Sequence, residues 1–232
     1  MSATHRIALA FFDPKAAFER LKNDPRCLVA LALVVVATCV TWIWYYAVVD
    51  IDWLQDKLIE QKGYTAPAEI DMARQVMTRG SLGVFAIAGG VIGIPLLLLV
   101  WAGWFRQAAN FASVDLPLRK WYAFATWTAL PGALLLPIVA VQLALGHGRQ
   151  TAPDELNPVS LNQLVFGLPA GSAAAAIFNS FSLLSVWSIV LITVGLVQWG
   201  VRSVPRALAI ALAPYVVFYG GWALVSFLRS GA

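Results

Sequence analysis

The chain has 232 residues, of which 60% are hydrophobic and only 12% charged, with 10 Trp. A soluble domain carries about 25% charged residues, so this composition argues against a water-soluble globule. The 16 Lys and Arg outnumber the 12 Asp and Glu, but they are scattered along the ends of hydrophobic segments. No basic patch is formed that would meet nucleic acid.

Asp, Glu, Lys and Arg are absent from residues 27 to 49, 80 to 105, 121 to 148, 156 to 201 and 207 to 228. A bilayer core about 30 Å thick needs roughly 20 apolar helical residues to cross it. Long continuous runs of this kind match helices, whereas barrel strands would show short alternating segments. The expected fold is all-α: a polytopic transmembrane helix bundle forming a single membrane domain over 1 to 232, with five spans and short interfacial helices.

In chain order, residues 1 to 26 form an amphipathic segment expected on the cytoplasmic face. Within it Asp13 is placed to cap a helix, Pro14 to start it and Pro25 to end it, with Phe18 and Leu21 on one face. This polar start is too long for a secretory signal, so the first span is expected to be retained. That span covers about 27 to 49. Its Cys27 and Cys39 lie about 18 Å apart along one helix, too far to bridge.

Residues 50 to 79 form an acidic extracytoplasmic loop. The helical spacing of Trp53-Leu54, Leu58 and Ile59, then Ile70, Met72, Val76 and Met77, is broken by Gly63 and Pro67, which predicts two amphipathic helices. Trp53 suits the headgroup level.

The second span, about 81 to 105, carries Ala86/Gly90 and Gly89/Gly93 at small-xxx-small spacing ahead of Pro95, a pattern for close helix contact. The third covers about 121 to 145. Residues 157 to 167, from Asn157-Pro158 to Gly167, read as a short helix lying in the interface rather than as a crossing. The fourth span is placed at about 177 to 200, where Asn179, Ser182, Ser185 and Ser188 recur every three residues as one polar stripe suited to hydrogen bonds between helices. The fifth covers about 207 to 228. Pro95, Pro131, Pro137 and Pro214 each remove a backbone donor inside a span and predict kinks.

Orientation follows from Lys and Arg. With the N-terminus inside, the inner segments hold Arg6, Lys15, Arg20, Lys22, Arg26, Arg106, Arg119, Lys120, Arg202 and Arg206. The outer segments hold Lys57, Lys62, Arg74, Arg79, Arg149 and Arg229. The positive-inside rule then favours a cytoplasmic N-terminus and an external C-terminus.

No span contains an ionisable acid or base of the kind that marks a proton-coupled pump. His5 is near the terminus and His147 lies between two glycines, which gives no metal or nucleophile–His pattern. No Gly-Lys pair exists for a phosphate loop. No catalytic residue, cofactor or metal is expected. Candidate partner contacts are Ala86, Gly89, Gly90 and Gly93 on the second span, Asp52, Trp53 and Asp56 in the acidic loop, and Asn179, Ser182 and Ser185 on the stripe.

Five short features resemble the Yip1 family of five-span membrane proteins. They are Asp13-Pro14-Lys15-Ala16-Ala17-Phe18-Glu19-Arg20-Leu21, the Gly/Pro-rich second span, Ala129-Leu130-Pro131, Trp187 with Gly195-Leu196, and Pro205-Arg206-Ala207. Eukaryotic members act in vesicle trafficking with small GTPases, and some bacterial members accompany ABC exporters of the macrolide-efflux type. The resemblance therefore implies a non-catalytic accessory subunit in a bacterial plasma (inner) membrane. It would touch membrane lipids and an ABC exporter permease, with no nucleic acid. The alternatives are a stand-alone lipid- or peptide-handling protein and a trafficking-type adaptor.

Overall fold

A computed structural model describes residues 3 to 145, 149 to 169 and 172 to 230, and these are helical almost throughout. His147, one of the two histidines, lies outside the described residues. Among the described residues four helical stretches are long and apolar enough to cross a membrane: Leu28–Val48, Arg79–Asn110, Leu118–Ala144 and Val204–Val225. A fifth apolar helix, Leu183–Trp199, has 17 residues, about 26 Å at 1.5 Å per residue and at the short end of what spans a bilayer. Five crossings are compatible with this set. The chain is a membrane protein built of helices.

The Cα trace clusters into two compact units, one of Met1–Val35, Ile94–Ala133 and Leu183–Ala232, the other of Val36–Gly93 and Leu134–Ser182.

The first unit begins with α1 (Ala3–Phe12) and α2 (Pro14–Asn23). The Asp13 side chain accepts from the Ala16 N–H and Pro14 opens α2, a cap with its preset first turn. Arg6 closes the pair by bonding Asp24 at 2.8 Å, and Arg26 reaches the same carboxylate at 2.9 Å.

Phe18 and Leu21 are buried. Phe18 enters an aromatic cluster with α7 (Ile94–Asn110), α8 (Leu118–Thr128) and α11 (Leu183–Trp199). Phe124 lies at its centre, with ring centroids 5.2 Å from Phe18, 5.2 Å from Phe105, 5.5 Å from Trp121 and 4.9 Å from Trp199. Aromatic pairs at such separations contribute about 0.5–1.5 kcal/mol beyond their area. The Trp199 indole N–H donates to the Phe18 carbonyl at 2.8 Å, and Lys22 donates to the Trp199 carbonyl at 3.0 Å. The ammonium thus meets the negative C-terminal end of α11. Helix α12 (Val204–Ser230) packs on α11, and Trp104 on α7 donates to its Ile210 carbonyl at 3.0 Å.

The second unit holds the C-terminal part of α3 (Leu28–Val48), then α4 (Ile51–Lys62), α5 (Pro67–Val76), α6 (Arg79–Ala88), α9 (Leu135–Ala144) and α10 (Ala173–Ser180). The two helices expected in the loop are both present. Asp50 caps α4, accepting from Asp52 and Trp53, and Gly63 ends it in the left-handed region at φ 69°, where glycine carries no Cβ penalty. The buried Gln55 amide donates to the Arg74 and Met77 carbonyls at 3.2 and 3.0 Å, tying the end of α5 back to α4. Tyr45, Val49, Leu54, Val139, Leu143 and Leu156 form the core, and Trp53 and Leu58 pack against it.

Two of the four span prolines coincide with a change of helix type. A π segment, Gly89–Gly93, precedes Pro95, and a 3-10 segment, Leu130–Leu134, contains Pro131. A proline ring clashes with the carbonyl four residues earlier and supplies no N–H, so the ladder shifts its hydrogen-bond pattern around it. Pro137 stands in the first turn of α9, where the missing donor is not needed, and Pro214 lies inside an unbroken α12.

Candidate partner-binding surfaces

The glycine row of the second span splits into two. Gly90 is buried and Ala86 half-buried, while Gly89 and Gly93 are exposed. A Cβ built on Gly89 or Gly93 would meet nothing within 4 Å. These two glycines are therefore not packing against the rest of the chain, as close contact within the bundle would require. They sit within the π segment, beside exposed Val91 and Ile92. The result is a shallow, smooth strip on a span whose flank is otherwise apolar.

In the acidic loop Asp52 and Asp56 are exposed, and Asp56 is paired with Arg74. Exposed ion pairs contribute about 0–1 kcal/mol, so this one leaves the surface adjustable. Trp53 lies half-buried against the unit core, and Ile59 is buried. Met72 and Val76 on α5 are large apolar side chains exposed in this region.

The polar stripe of the fourth span is not formed. The expected span, 177 to 200, breaks at Phe181-Ser182, leaving α10 ending at Ser180 and α11 starting at Leu183. The cause is a long-range pairing. Phe181 is extended (φ −103°, ψ 128°), its carbonyl accepts from the Leu161 N–H at 2.7 Å, and Ser160 and Ser182 form an antiparallel bridge. Asn179 and Ser182 are buried, and the Ser160 hydroxyl donates to Asn179 Oδ1 at 3.3 Å. Ser185 belongs to the separate helix α11. The interfacial helix expected from Asn157 is likewise shorter. Asn157 accepts from Val159 in a local turn, and only Asn162–Phe166 is helical, as a π turn ended by Gly167 at φ 59°.

An open cavity of about 1700 Å³ lies in the second unit, lined by the end of α3, the start of α4, one side of α9 and the chain from 149 to 163. The Arg79 guanidinium borders it and donates to the carbonyls of Tyr46 and of Val49, the latter at 3.0 Å. It thereby caps the C-terminal end of α3 with a positive charge. Among the described residues no group of three or more His, Cys, Asp or Glu is placed to hold a metal ion.

The family model of the Yip1 domain matches residues 8–225. The chain belongs to the Yip1 family. No curated protein and no solved structure matches it. Several of the short features that resemble the Yip1 family have a structural job in this member. Asp13 and Pro14 start α2, Phe18 fills the aromatic cluster, and Gly195 leaves room for it. A Cβ on Gly195 would lie 2.5 Å from Phe124 Cε2 and 3.0 Å from Phe18 Cδ1. Leu196 is buried beside it. Trp187, by contrast, is exposed on α11, and nothing in the structure explains its choice.

Proposed function

We propose that this Yip1-family protein is a non-catalytic membrane subunit that holds a second integral membrane protein through the open strip at Gly89 and Gly93. The supporting observation is that a Cβ on either glycine would meet no atom of a neighbouring helix within 4 Å among the described residues. In lipid there is no hydrophobic force between helices, so association rests on close backbone approach and hydrogen bonds. Glycines that serve no internal contact are then free to serve an external one. The narrower form of the reading, an accessory subunit of an ABC-type exporter in a bacterial inner membrane, comes from the family resemblance. Its N-terminus would be cytoplasmic and its C-terminus external, following the Lys and Arg distribution.

The test is purification of the full chain from native membranes in mild detergent. A permease co-eluting in stoichiometric amount is expected, and Gly89→Leu and Gly93→Leu should reduce its yield while leaving the helical content unchanged. Unchanged yield from folded variants removes this strip from the interface. Isolation of the chain alone favours the lipid- or peptide-handling alternative. Binding of micromolar ATP or a stoichiometric metal to the purified chain would overturn the non-catalytic reading.

A further inference from the structure

The first unit holds a cleft of about 700 Å³ that is independent of the glycine strip. Its walls come from α1, from the turn ahead of α3, and from α7 and α8. Three arginines line it: Arg6 on α1, Arg26 just ahead of α3, and Arg119 in the first turn of α8. Among the described residues no Asp or Glu does. Asp24, outside the lining, pairs with Arg6 at 2.8 Å and with Arg26 at 2.9 Å. One carboxylate cannot neutralise two guanidinium groups, and Arg119 makes no ion pair among the described residues. The cleft therefore keeps two positive charges in excess.

The rest of the lining is apolar and open. Leu28 and Val29 on α3 and Leu99 on α7 are 77%, 46% and 44% exposed, and all three belong to helical stretches long and apolar enough to cross a membrane. Cationic groups at or beyond the helix ends thus share one cleft with apolar side chains inside the spans. A soluble anion would meet the arginines and leave the apolar wall uncovered, whereas a phospholipid covers both. Sites for compact ligands run to about 300–1,000 Å³, which leaves room here for a headgroup and the start of its chains.

We propose that this cleft binds an anionic phospholipid. The phosphodiester lies among Arg6, Arg26 and Arg119, whose planar forks suit phosphate oxygens, and the first methylenes run along Leu28, Val29 and Leu99. Basic pockets between membrane helices take anionic headgroups in this way. A choline or ethanolamine headgroup adds an ammonium, and no carboxylate lines the cleft to receive it. The site should therefore favour phosphatidylglycerol over phosphatidylcholine.

The test uses the purified full chain in neutral detergent, titrated with dioleoyl phosphatidylglycerol or dioleoyl phosphatidylcholine and read by native mass spectrometry. One phosphatidylglycerol should bind in preference to the choline lipid. Arg119→Gln should weaken it about fivefold, the effect of one basic residue near an anionic lipid, and Arg119→Lys, which keeps the charge, should restore most of the loss. Arg26→Gln should act in the same direction without loosening the fold, because the backbone there is held by the Trp127 indole N–H, which donates to the Arg26 carbonyl at 2.8 Å. The double variant should bind the two lipids equally. Arg202→Gln, an exposed arginine outside the cleft, should leave the preference intact. Equal binding of the two lipids by the wild-type chain, or no binding of either, overturns the proposal. An Arg202→Gln loss as large as that of Arg119→Gln would show diffuse attraction to surface charge, and displacement of the lipid by water-soluble glycerol 3-phosphate would show a free phosphate site. Either result rejects the lipid assignment.

Discussion

Gly195 has no room for a side chain, because the space its Cβ would occupy is filled by the rings of Phe124 and Phe18. Phe124 is fully buried and hemmed in by Phe105, Trp121 and Trp199, so its ring cannot swing aside. Gly195→Ala should therefore destabilise the protein by about 1–3 kcal/mol, the cost of overpacking, despite alanine's better helix propensity. A lower melting temperature in detergent checks this, and an unchanged one would mean that α11 can shift outward. Asp24 gives a pH prediction. The hydrogen bond from Arg6 is the main cause that holds its carboxyl below the ordinary value of 3.8, burial opposes it, and the charge of Arg26 assists. A depressed folded pKa stabilises above the ordinary aspartate value and is lost as pH falls through the depressed one. The pin between α1 and α2 should thus hold at every pH above about 4 and release only under stronger acid. Trp127 borders the same α1–α2 pocket, so its fluorescence should stay constant down to that range and change below it. A transition near neutral pH would contradict the assignment.

At the scale of elements, the readable helices were those with local punctuation. Gly63 and Pro67 separate α4 from α5 in the sequence as they do in the structure, because caps and stops act within a turn. The break at Phe181-Ser182 lies in an uncharged run without a nearby Gly or Pro, and its cause is a pairing with Ser160 and Leu161 some twenty residues away. Periodicity carries no record of such a partner. The cavity was hidden for the same reason, since its walls come from four separated segments. The pairing itself can be tested: Asn179→Leu removes the acceptor of the Ser160 hydroxyl and should cost about 1–3 kcal/mol. Hydrogen exchange at Leu161 should rise with it. Protection unchanged at Leu161 would show that the backbone bridge stands without the side chain.

For the whole molecule, threading is the property to measure. The segments expected inside before the fifth span, 1 to 26, 106 to 120 and 201 to 206, all belong to the first unit, and those expected outside, 50 to 79 and 146 to 176, to the second. With Cys27 and Cys39 replaced by alanine, an impermeant maleimide should label Gln61→Cys on intact cells and Asp115→Cys only after permeabilisation. The reverse pattern inverts the orientation, and labelling of both from one side rejects the threading. The bond from Trp199 to the Phe18 carbonyl also sets an order of assembly. It joins residues 181 apart, and Phe18 packs on rings from α8 and against Gly195. The N-terminal helices therefore emerge from the ribosome long before their seat is complete. Until the next-to-last helix has been made, α2 must wait at the membrane surface with the side of Phe18 that meets α11 uncovered. Nascent chains arrested before residue 183 should be cut by protease within residues 13 to 26, and chains extended through the last helix should resist.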